Sequence, residues 1–148
     1  MFEDRPKNVR LFGELMRRHN HMLQRELGKF GIYRGQHFVL FCLLKNPGIT
    51  QIEMAQEFGI TKASIGATVS RMEKNGLIDR RPDEKDARRN RLYITDKGKK
   101  TADECRYQVN KMQTALFKKF TASEQVMVQD VLERMLEGIK ELENEKDE

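Results

Sequence analysis

The sequence is poor in the residues that build metal centres and disulfide frameworks. It contains no tryptophan, three prolines and two cysteines among 148 residues. Cys42 and Cys105 lie 63 positions apart, and neither belongs to a C-x-x-C or Cys/His cluster, so a metal or disulfide scaffold is not indicated. We expect both thiols to be reduced and to lie in helix cores, and a redox switch is the alternative.

Long apolar runs and catalytic motifs are also missing. No segment approaches the length of a membrane span, and MFEDRPKNVR at the N-terminus lacks the apolar region of a secretory leader. We therefore expect a cytoplasmic location and no membrane partner. There is no glycine-rich phosphate loop, no nucleophile elbow, no H-E-x-x-H and no evident Ser/His/Asp set, so neither an enzyme nor a bound cofactor is expected.

Charge is abundant and unevenly placed. Charged residues make up 34% of the chain, against ~25% in an average domain. Residues 61–100 contain 12 Lys/Arg and 6 Asp/Glu, whereas the remainder carries 16 basic and 17 acidic residues. The whole positive excess therefore falls in one segment of 40 residues. This distribution predicts a local anionic partner, and nucleic acid is favoured.

The periodicity predicts a mainly α chain with one small β-hairpin, folded as a single domain over 1–148. Helices are expected where apolar residues recur at steps of three and four, and strands where they alternate. The capping boxes Thr50-Gln-Ile-Glu53 and Thr121-Ala-Ser-Glu124 mark two helix starts. The predicted elements are helices 8–27, 36–45, 50–58 and 61–75, strands 77–81 and 91–95, and helices 95–120 and 121–142.

The third and fourth helices are spaced as a helix–turn–helix. Ala55 is small enough for a helix contact, Gly59 can adopt the positive φ of a turn, and Ile65 faces back from the second helix. Four further residues are expected to fill the core between the two helices, namely Met54, Phe58, Ile60 and Val69. Buried helix pairs imitate this pattern, but the basic hairpin that follows makes it specific.

The outward face of the helix 61–75 carries the candidate base-reading residues. Its N-terminus offers free N–H groups and a positive dipole end that suit a phosphate. Short hydroxyl side chains let a helix approach base edges in the major groove. The alternative is an ordinary solvated helix face. The residues predicted to lie away from Ile65 and Val69 are Thr61, Lys62, Ser64, Thr68 and Arg71.

Gly66 is unusual inside this helix. Glycine costs about 1 kcal/mol relative to alanine in a helix interior. It either permits close approach to DNA or packs tightly against another element, and the sequence does not distinguish these two possibilities.

The hairpin loop in RRPDEKDARRNRLYIT (80–95) is the second candidate site. Arg88 and Arg89 are expected at its tip, with Arg91 following, and arginine suits the negative potential of a narrow minor groove. Asp86 is expected to pair with an arginine and to hold the tip in shape. The alternative is a surface loop whose acidic and basic residues compensate each other.

Residues 50–98 resemble the core of the MarR family of bacterial winged-helix regulators. The residues that carry the resemblance are TQIEMAQEFGITKASI, the L-x-x-R-x-x-D segment from Leu77 to Asp83 and the Asp86-x-Arg88 signature. Gly35-Gln36 at the start of the second helix also matches. The resemblance implies a winged helix–turn–helix over 36–98 and a helical dimerisation region over 1–30 and 99–148.

The resemblance further implies a homodimeric, ligand-responsive regulator, with repression as the expected sign of regulation, that binds a pseudo-palindromic duplex operator. The recognition helix (61–75) would enter the major groove and the wing (82–91) the minor groove. The implied effector pocket, between the DNA-binding lobe and the dimerisation helices, would include Phe12, Met16, His19 and His37. Eight methionines would suit a flat, apolar effector such as a small aromatic molecule.

A metal-sensing site and an adaptor function are the two hypotheses that compete with this interpretation. His19 and His21 point about 200° apart on one helix and cannot share an ion, so no metal site is expected. A winged-helix adaptor for protein or RNA is the alternative function, and it would bind duplex DNA weakly without preferring palindromes.

Overall fold

Six α-helices and a two-stranded hairpin make up the computed structural model, which describes residues 5–33, 35–84, 86 and 89–145. The mainly α fold with a small hairpin is therefore confirmed. The helices are α1 (Lys7–Gly28), α2 (Gln36–Lys45), α3 (Gln51–Phe58), α4 (Lys62–Lys74), α5 (Asp96–Phe117) and α6 (Ala122–Asn144), and the strands are β1 (Ile78–Pro82) and β2 (Asn90–Ile94).

Side-chain caps fix the starts of α3, α4 and α6. The Thr50 hydroxyl accepts a hydrogen bond from the Glu53 N–H at 3.3 Å, and the Glu53 carboxylate accepts one from the Thr50 N–H at 2.8 Å. Thr121 and Glu124 form the same reciprocal pair at the start of α6. Both predicted capping boxes are confirmed, and each satisfies two N–H groups that a helix start leaves unpaired.

The strands lie one residue away from their predicted positions. β1 pairs antiparallel with β2 from Ile78↔Ile94 to Pro82↔Asn90. Leu77 is excluded from β1 because its N–H closes the end of α4 by bonding the Met72 carbonyl at 2.9 Å. Thr95 follows β2 and directly precedes α5, where its hydroxyl accepts from the Gly98 N–H at 3.0 Å.

The core lies among α2, α3, α4, the hairpin and the start of α5. α2 contributes Val39, Leu40 and Leu43, each 2% exposed or less, and α4 contributes Ile65, Val69 and Met72. Ala102 and Cys105 extend the same cluster from α5. Burial of these apolar side chains supplies the main favourable term in folding, and it fixes α4 against the hairpin.

Both cysteines are buried free thiols. Burial raises the pKa of the Cys105 thiol to about 11. Burial, together with the nearby Glu57 carboxylate, also raises the pKa of Cys42. The thiolate is the form that reacts with oxidants, so this arrangement favours two reduced core thiols over a redox switch.

The chain divides after Val109 into two compact units. Within the described residues, Leu27 is the one buried residue of α1, and α6 buries none. Each helix nevertheless carries large apolar side chains that are more than 40% exposed, among them Leu11, Leu15 and Met16 in α1 and Leu132, Met135 and Ile139 in α6. No described helix is long and apolar enough to cross a membrane.

Candidate nucleic-acid interface

α3 and α4 form a compact helix–turn–helix. Gly59 adopts φ 61° in the turn, and the Ile60 N–H bonds back to the Ala55 carbonyl at 3.1 Å. Ala55 is 5% and Ile65 1% exposed, so the predicted small–turn–apolar pattern packs as expected. Ile60 differs from its prediction because it is 45% exposed and does not fill the core.

The first turn of α4 is exposed, and its cap fixes the local geometry. The Thr61 hydroxyl accepts from the Ser64 N–H at 3.2 Å and donates to the Ser64 hydroxyl at 3.1 Å. Thr61, Lys62, Ser64 and Arg71 are all exposed. Four of the five predicted α4 residues are thus available to a partner at the surface.

Thr68 is the exception among the predicted α4 residues. It is partly buried, and its hydroxyl donates to the Ser64 carbonyl at 3.1 Å. It also lines an apolar cavity of about 300 Å³ together with Phe38, Phe58 and Ile65. Thr68 therefore lies at the edge of the core-facing side of α4, because residues three apart on a helix are neighbours and Ile65 is buried.

The space around Gly66 is open. Apart from its chain neighbours and the nearby backbone of α4, no described atom lies within 4 Å of the position that a Cβ at Gly66 would occupy. Tight packing inside the protein therefore does not explain this glycine.

The wing is held by an ion pair at its tip. The Arg89 guanidinium lies 3.3 Å from the Asp86 carboxylate, and the Arg89 N–H donates to the Asp86 carbonyl at 2.9 Å. Asp86 is thus paired with an arginine of the wing. Arg88 lies outside the described residues.

A second ion pair, at the base of the wing, was not predicted. The Arg91 side chain lies 2.6 Å from the carboxylate of Asp83, which is 7% exposed, and donates to the Gly48 carbonyl at 2.9 Å. Arg91 also forms a β-bridge with Thr50. Arg91 therefore ties the hairpin to the segment that precedes α3, and a contact with a nucleic-acid phosphate would compete with these partners.

β1 is joined to α4 by contacts that the sequence did not predict. Arg80 donates to the Ser70 hydroxyl at 2.6 Å and forms an ion pair with Glu73 at 3.0 Å. The charge run around residue 80 gave no signal for these partners, because they depend on how α4 packs on the hairpin.

The start of α4 and the wing meet at one cleft. A cavity of about 210 Å³ is lined by residues 50–53 at the start of α3, by Lys62 and by Arg89 and Asn90. We call this the α3–wing cleft. Arg71 lies elsewhere and lines a second cavity of about 540 Å³ with Lys74 and Tyr33. Lys62 and Arg71 thus line different cavities, towards opposite ends of α4.

The four predicted effector residues differ in burial. Phe12 and Met16 are 43% and 45% exposed on α1, and His19 is partly buried. His37 is 3% exposed, and its ring centroid lies 4.0 Å from that of Phe38. Its Nδ1 atom is buried and has no hydrogen-bond partner in the described part of the chain. In the same part, no cluster of three His, Cys, Asp or Glu could hold a metal ion.

Burial lowers the pKa of His37 below its usual value of about 6.5. The pKa of His37 is therefore higher in the unfolded chain, which binds more protons than the folded chain as the pH falls below 6.5. Protonation of His37 then favours unfolding, so the stability of the protein should decrease as the pH falls through this range. We expect the urea midpoint to fall more for the wild type than for His37→Leu between pH 7.5 and 5.5. Equal pH dependence in the two proteins would show that His37 is not held neutral.

A helix–turn–helix followed by a two-stranded wing defines the winged-helix class of DNA-binding proteins, and comparisons with known proteins place the chain within it. The MarR family model matches residues 32–89. The chain is 30% identical over 95 residues to the uncharacterized HTH-type transcriptional regulator YwoH of Bacillus subtilis (strain 168), covering 64% of this chain and 69% of that protein.

Solved structures agree. The crystal structure of MarR is 28% identical with a TM-score of 0.74 and covers 98% of both chains. The S. aureus MepR–DNA complex has the same fold, with a TM-score of 0.80 at 22% identity, and covers 90% of this chain and 99% of that chain. The chain belongs to the MarR family. It is a DNA-binding winged-helix transcriptional regulator and not an enzyme.

Proposed function

We propose that the protein is a homodimeric repressor that binds a pseudo-palindromic duplex operator and releases it when a small molecule binds. The observation that carries this proposal is the α3–wing cleft, in which Lys62 from α4 and Arg89 from the wing lie together. A cationic surface that joins a helix to a hairpin suits a duplex, whose major and minor grooves adjoin.

Each predicted residue has a distinct role in this proposal. The recognition helix (61–75) presents Thr61 and Ser64 to base edges and Arg71 to the backbone. Thr68, at the edge of the core, acts through the hydrogen bond that its hydroxyl donates to the Ser64 carbonyl. The wing (82–91) presents Arg88 and Arg89 to the minor groove. Asp86 and Arg91 position the wing from its tip and its base.

A second copy of the chain is the proposed cover for the exposed apolar stripes of α1 and α6. Monomeric soluble proteins rarely expose large contiguous apolar patches, and a twofold interface buries the same patch on both subunits. The proposed division assigns 36–98 to DNA binding and 1–30 with 99–148 to dimerisation. The dimer would hold two recognition helices one DNA turn apart, ~34 Å.

Effector response follows by linkage. A ligand that binds better to a dimer whose recognition helices do not match the operator spacing lowers the affinity for the operator. The operator in turn lowers the affinity for the ligand by the same coupling free energy. The proposed pocket includes Phe12, Met16, His19 and His37, and its aromatic and methionine side chains suit a small aromatic acid. Release of a bound duplex on adding such acids would test this step.

The salt dependence of DNA binding tests the function as a whole. Duplexes selected from random DNA by the wild-type protein should bind with a log–log slope on the order of −5 or steeper, because neutralised phosphates release counterions. Replacing both Arg88 and Arg89 with alanine should weaken binding at every sequence and make the slope shallower by about 0.9 for each phosphate that is no longer neutralised.

Lys118→Ala with Lys119→Ala is the matched control, because it removes two adjacent exposed cations outside the proposed interface. It should leave the slope nearly unchanged. A flat salt dependence in the wild type, or binding without any palindrome in the selected sites, would favour the protein or RNA adaptor instead.

A further inference from the structure

The cavities that Thr68 and Arg71 line are neighbours in one groove between α2 and α4. Gly35 lines the first cavity and Gln36 the second, and these two residues are consecutive. Thr68 and Arg71 lie three residues apart on α4, so they are neighbours on one face of the helix. We call this surface the α2–α4 groove, and it is lined by these four residues together with Phe38, Phe58, Ile60 and Lys74.

One end of the α2–α4 groove is apolar and open. Phe38 and Ile60 are 57% and 45% exposed there. Among the described residues that line this end, Thr68 alone has a polar side chain, and its hydroxyl already donates to the Ser64 carbonyl. The cavity measures about 300 Å³, whereas an engineered apolar cavity of about 150 Å³ binds benzene. This end therefore has room for an apolar body of two rings.

The other end of the groove is cationic. Arg71 and Lys74 line a cavity of about 540 Å³, and neither side chain makes an ion pair or a hydrogen bond with a described residue. No Asp or Glu is among the described residues that line either cavity. A guanidinium binds a carboxylate through two parallel N–H donors. Arg71 is thus placed to bind an anionic head group, and Lys74 adds a second positive charge.

The two ends together define the chemistry of the occupant. A DNA backbone phosphate would pair with the cations but leave the apolar end uncovered. A neutral apolar molecule would fill the apolar end but leave the cations unpaired. Ligand pockets combine a largely apolar lining with a few polar groups that fix orientation, and a molecule with an apolar body and an anionic head matches both ends of this groove.

We propose that the α2–α4 groove binds an amphipathic carboxylate, with its apolar body against Phe38, Phe58 and Ile60 and its carboxylate on Arg71. None of the four residues of the proposed effector pocket lines this groove, so it is a second ligand site.

The inference rests on the proposed function in one respect, because it adds direct competition to linkage. Thr68 and Arg71 line the groove and also belong to the proposed recognition helix. A bound carboxylate would therefore occupy the guanidinium that is proposed to contact the DNA backbone, and the ligand and the duplex would exclude each other.

Direct binding of 2-naphthoate tests the site without DNA. In spectra of wild-type protein labelled at the isoleucine methyl groups, 2-naphthoate should shift the signals of Ile60 and Ile65, which line the groove. Ile139 on α6 should stay unchanged. The uncharged 2-naphthamide should bind about tenfold more weakly, because it lacks the charge-assisted hydrogen bonds to Arg71. Equal binding of the two compounds, or shifts that spare Ile60 and Ile65, would overturn the proposal.

Two pairs of variants separate the head group from the apolar body. Arg71→Gln should weaken 2-naphthoate binding roughly tenfold and remove its advantage over 2-naphthamide, whereas Arg134→Gln on α6 should change neither. Ile60→Ala should weaken both compounds about threefold through lost apolar contact. Ile52→Ala is its control, because both isoleucines are 45% exposed and Ile52 does not line the groove. Equal losses in the Ile60 and Ile52 variants would contradict the apolar site.

Competition with the selected duplex tests the overlap with DNA. The apparent dissociation constant of the duplex should rise in proportion to the 2-naphthoate concentration without reaching a plateau. A plateau would instead indicate linkage from a separate site and would contradict the groove.

The ligand site and the regulator function fail independently. If the wild type binds duplex DNA with a steep salt slope but 2-naphthoate leaves Ile60 and Ile65 unchanged, the groove proposal is wrong and the regulator function stands. If 2-naphthoate shifts both signals as expected but no duplex binds, the proposed function fails and the ligand site stands.

Discussion

Gly98→Ala is expected to destabilise the protein by about 3 kcal/mol, the upper end of what overpacking costs. A Cβ at Gly98 would lie 2.1 Å from the Leu77 carbonyl oxygen and 2.7 Å from Ile94 Cγ1. The first of these atoms belongs to the backbone and cannot rotate away. To relieve this overlap, α5 must move away from the start of the hairpin. That movement would strain the neighbouring hydrogen bonds.

The hydrogen bonds at risk centre on Thr95. Its N–H donates to the Leu77 carbonyl at 3.1 Å, and its hydroxyl donates to the Gly76 carbonyl at 2.7 Å. The same hydroxyl accepts from the Gly98 N–H. Because Thr95 forms hydrogen bonds that join α4, the hairpin and α5, a displacement at Gly98 would disturb all three elements.

Gly13→Ala is the matched control for this prediction. Gly13 lies in the interior of α1, and apart from the nearby backbone of α1 nothing described lies within 4 Å of a Cβ placed there. Alanine at that position should stabilise the protein by up to about 1 kcal/mol through helix propensity. Urea midpoints at one fixed protein concentration would measure both variants. If Gly98→Ala proves as stable as Gly13→Ala, the close contact between α5 and Leu77 is contradicted.

Local signals explain why much of the fold could be predicted from the sequence. The caps at Thr50, Thr61 and Thr121 bond N–H groups three residues further along, so a short stretch of sequence contains both partners. The turn at Gly59 depends on one residue that tolerates positive φ. These features mark the helix starts without knowledge of the tertiary structure.

Contacts between distant residues explain what could not be predicted. Arg91 bonds a carbonyl 43 positions earlier in the chain, and the strand pattern around Arg91 does not specify that partner. The exposure of Ile60 and the partial burial of Thr68 depend on how far α2 covers the helix–turn–helix.

The dimerisation proposal leads to the second large effect. Leu132 and Ile139 lie seven residues apart on one face of α6 and are 42% and 54% exposed. Replacing both with glutamate should dissociate the dimer, because each substitution would bury a charge in an apolar interface. Affinity for a duplex with two half-sites should then fall by roughly 100-fold or more, since the second recognition helix is no longer tethered to the first.

Val126→Glu separates this effect from a general response to surface charge. Val126 is 68% exposed on α6, and at 3.6 residues per turn it faces roughly opposite to the stripe of Leu132 and Ile139. This variant should stay dimeric by sedimentation equilibrium and keep its affinity. Binding to a single half-site should be the same in all three proteins, which also shows that the Leu132→Glu/Ile139→Glu variant is folded. A wild-type protein that sediments as a monomer at micromolar concentration would contradict the dimer, because nothing would then cover the apolar face of α6.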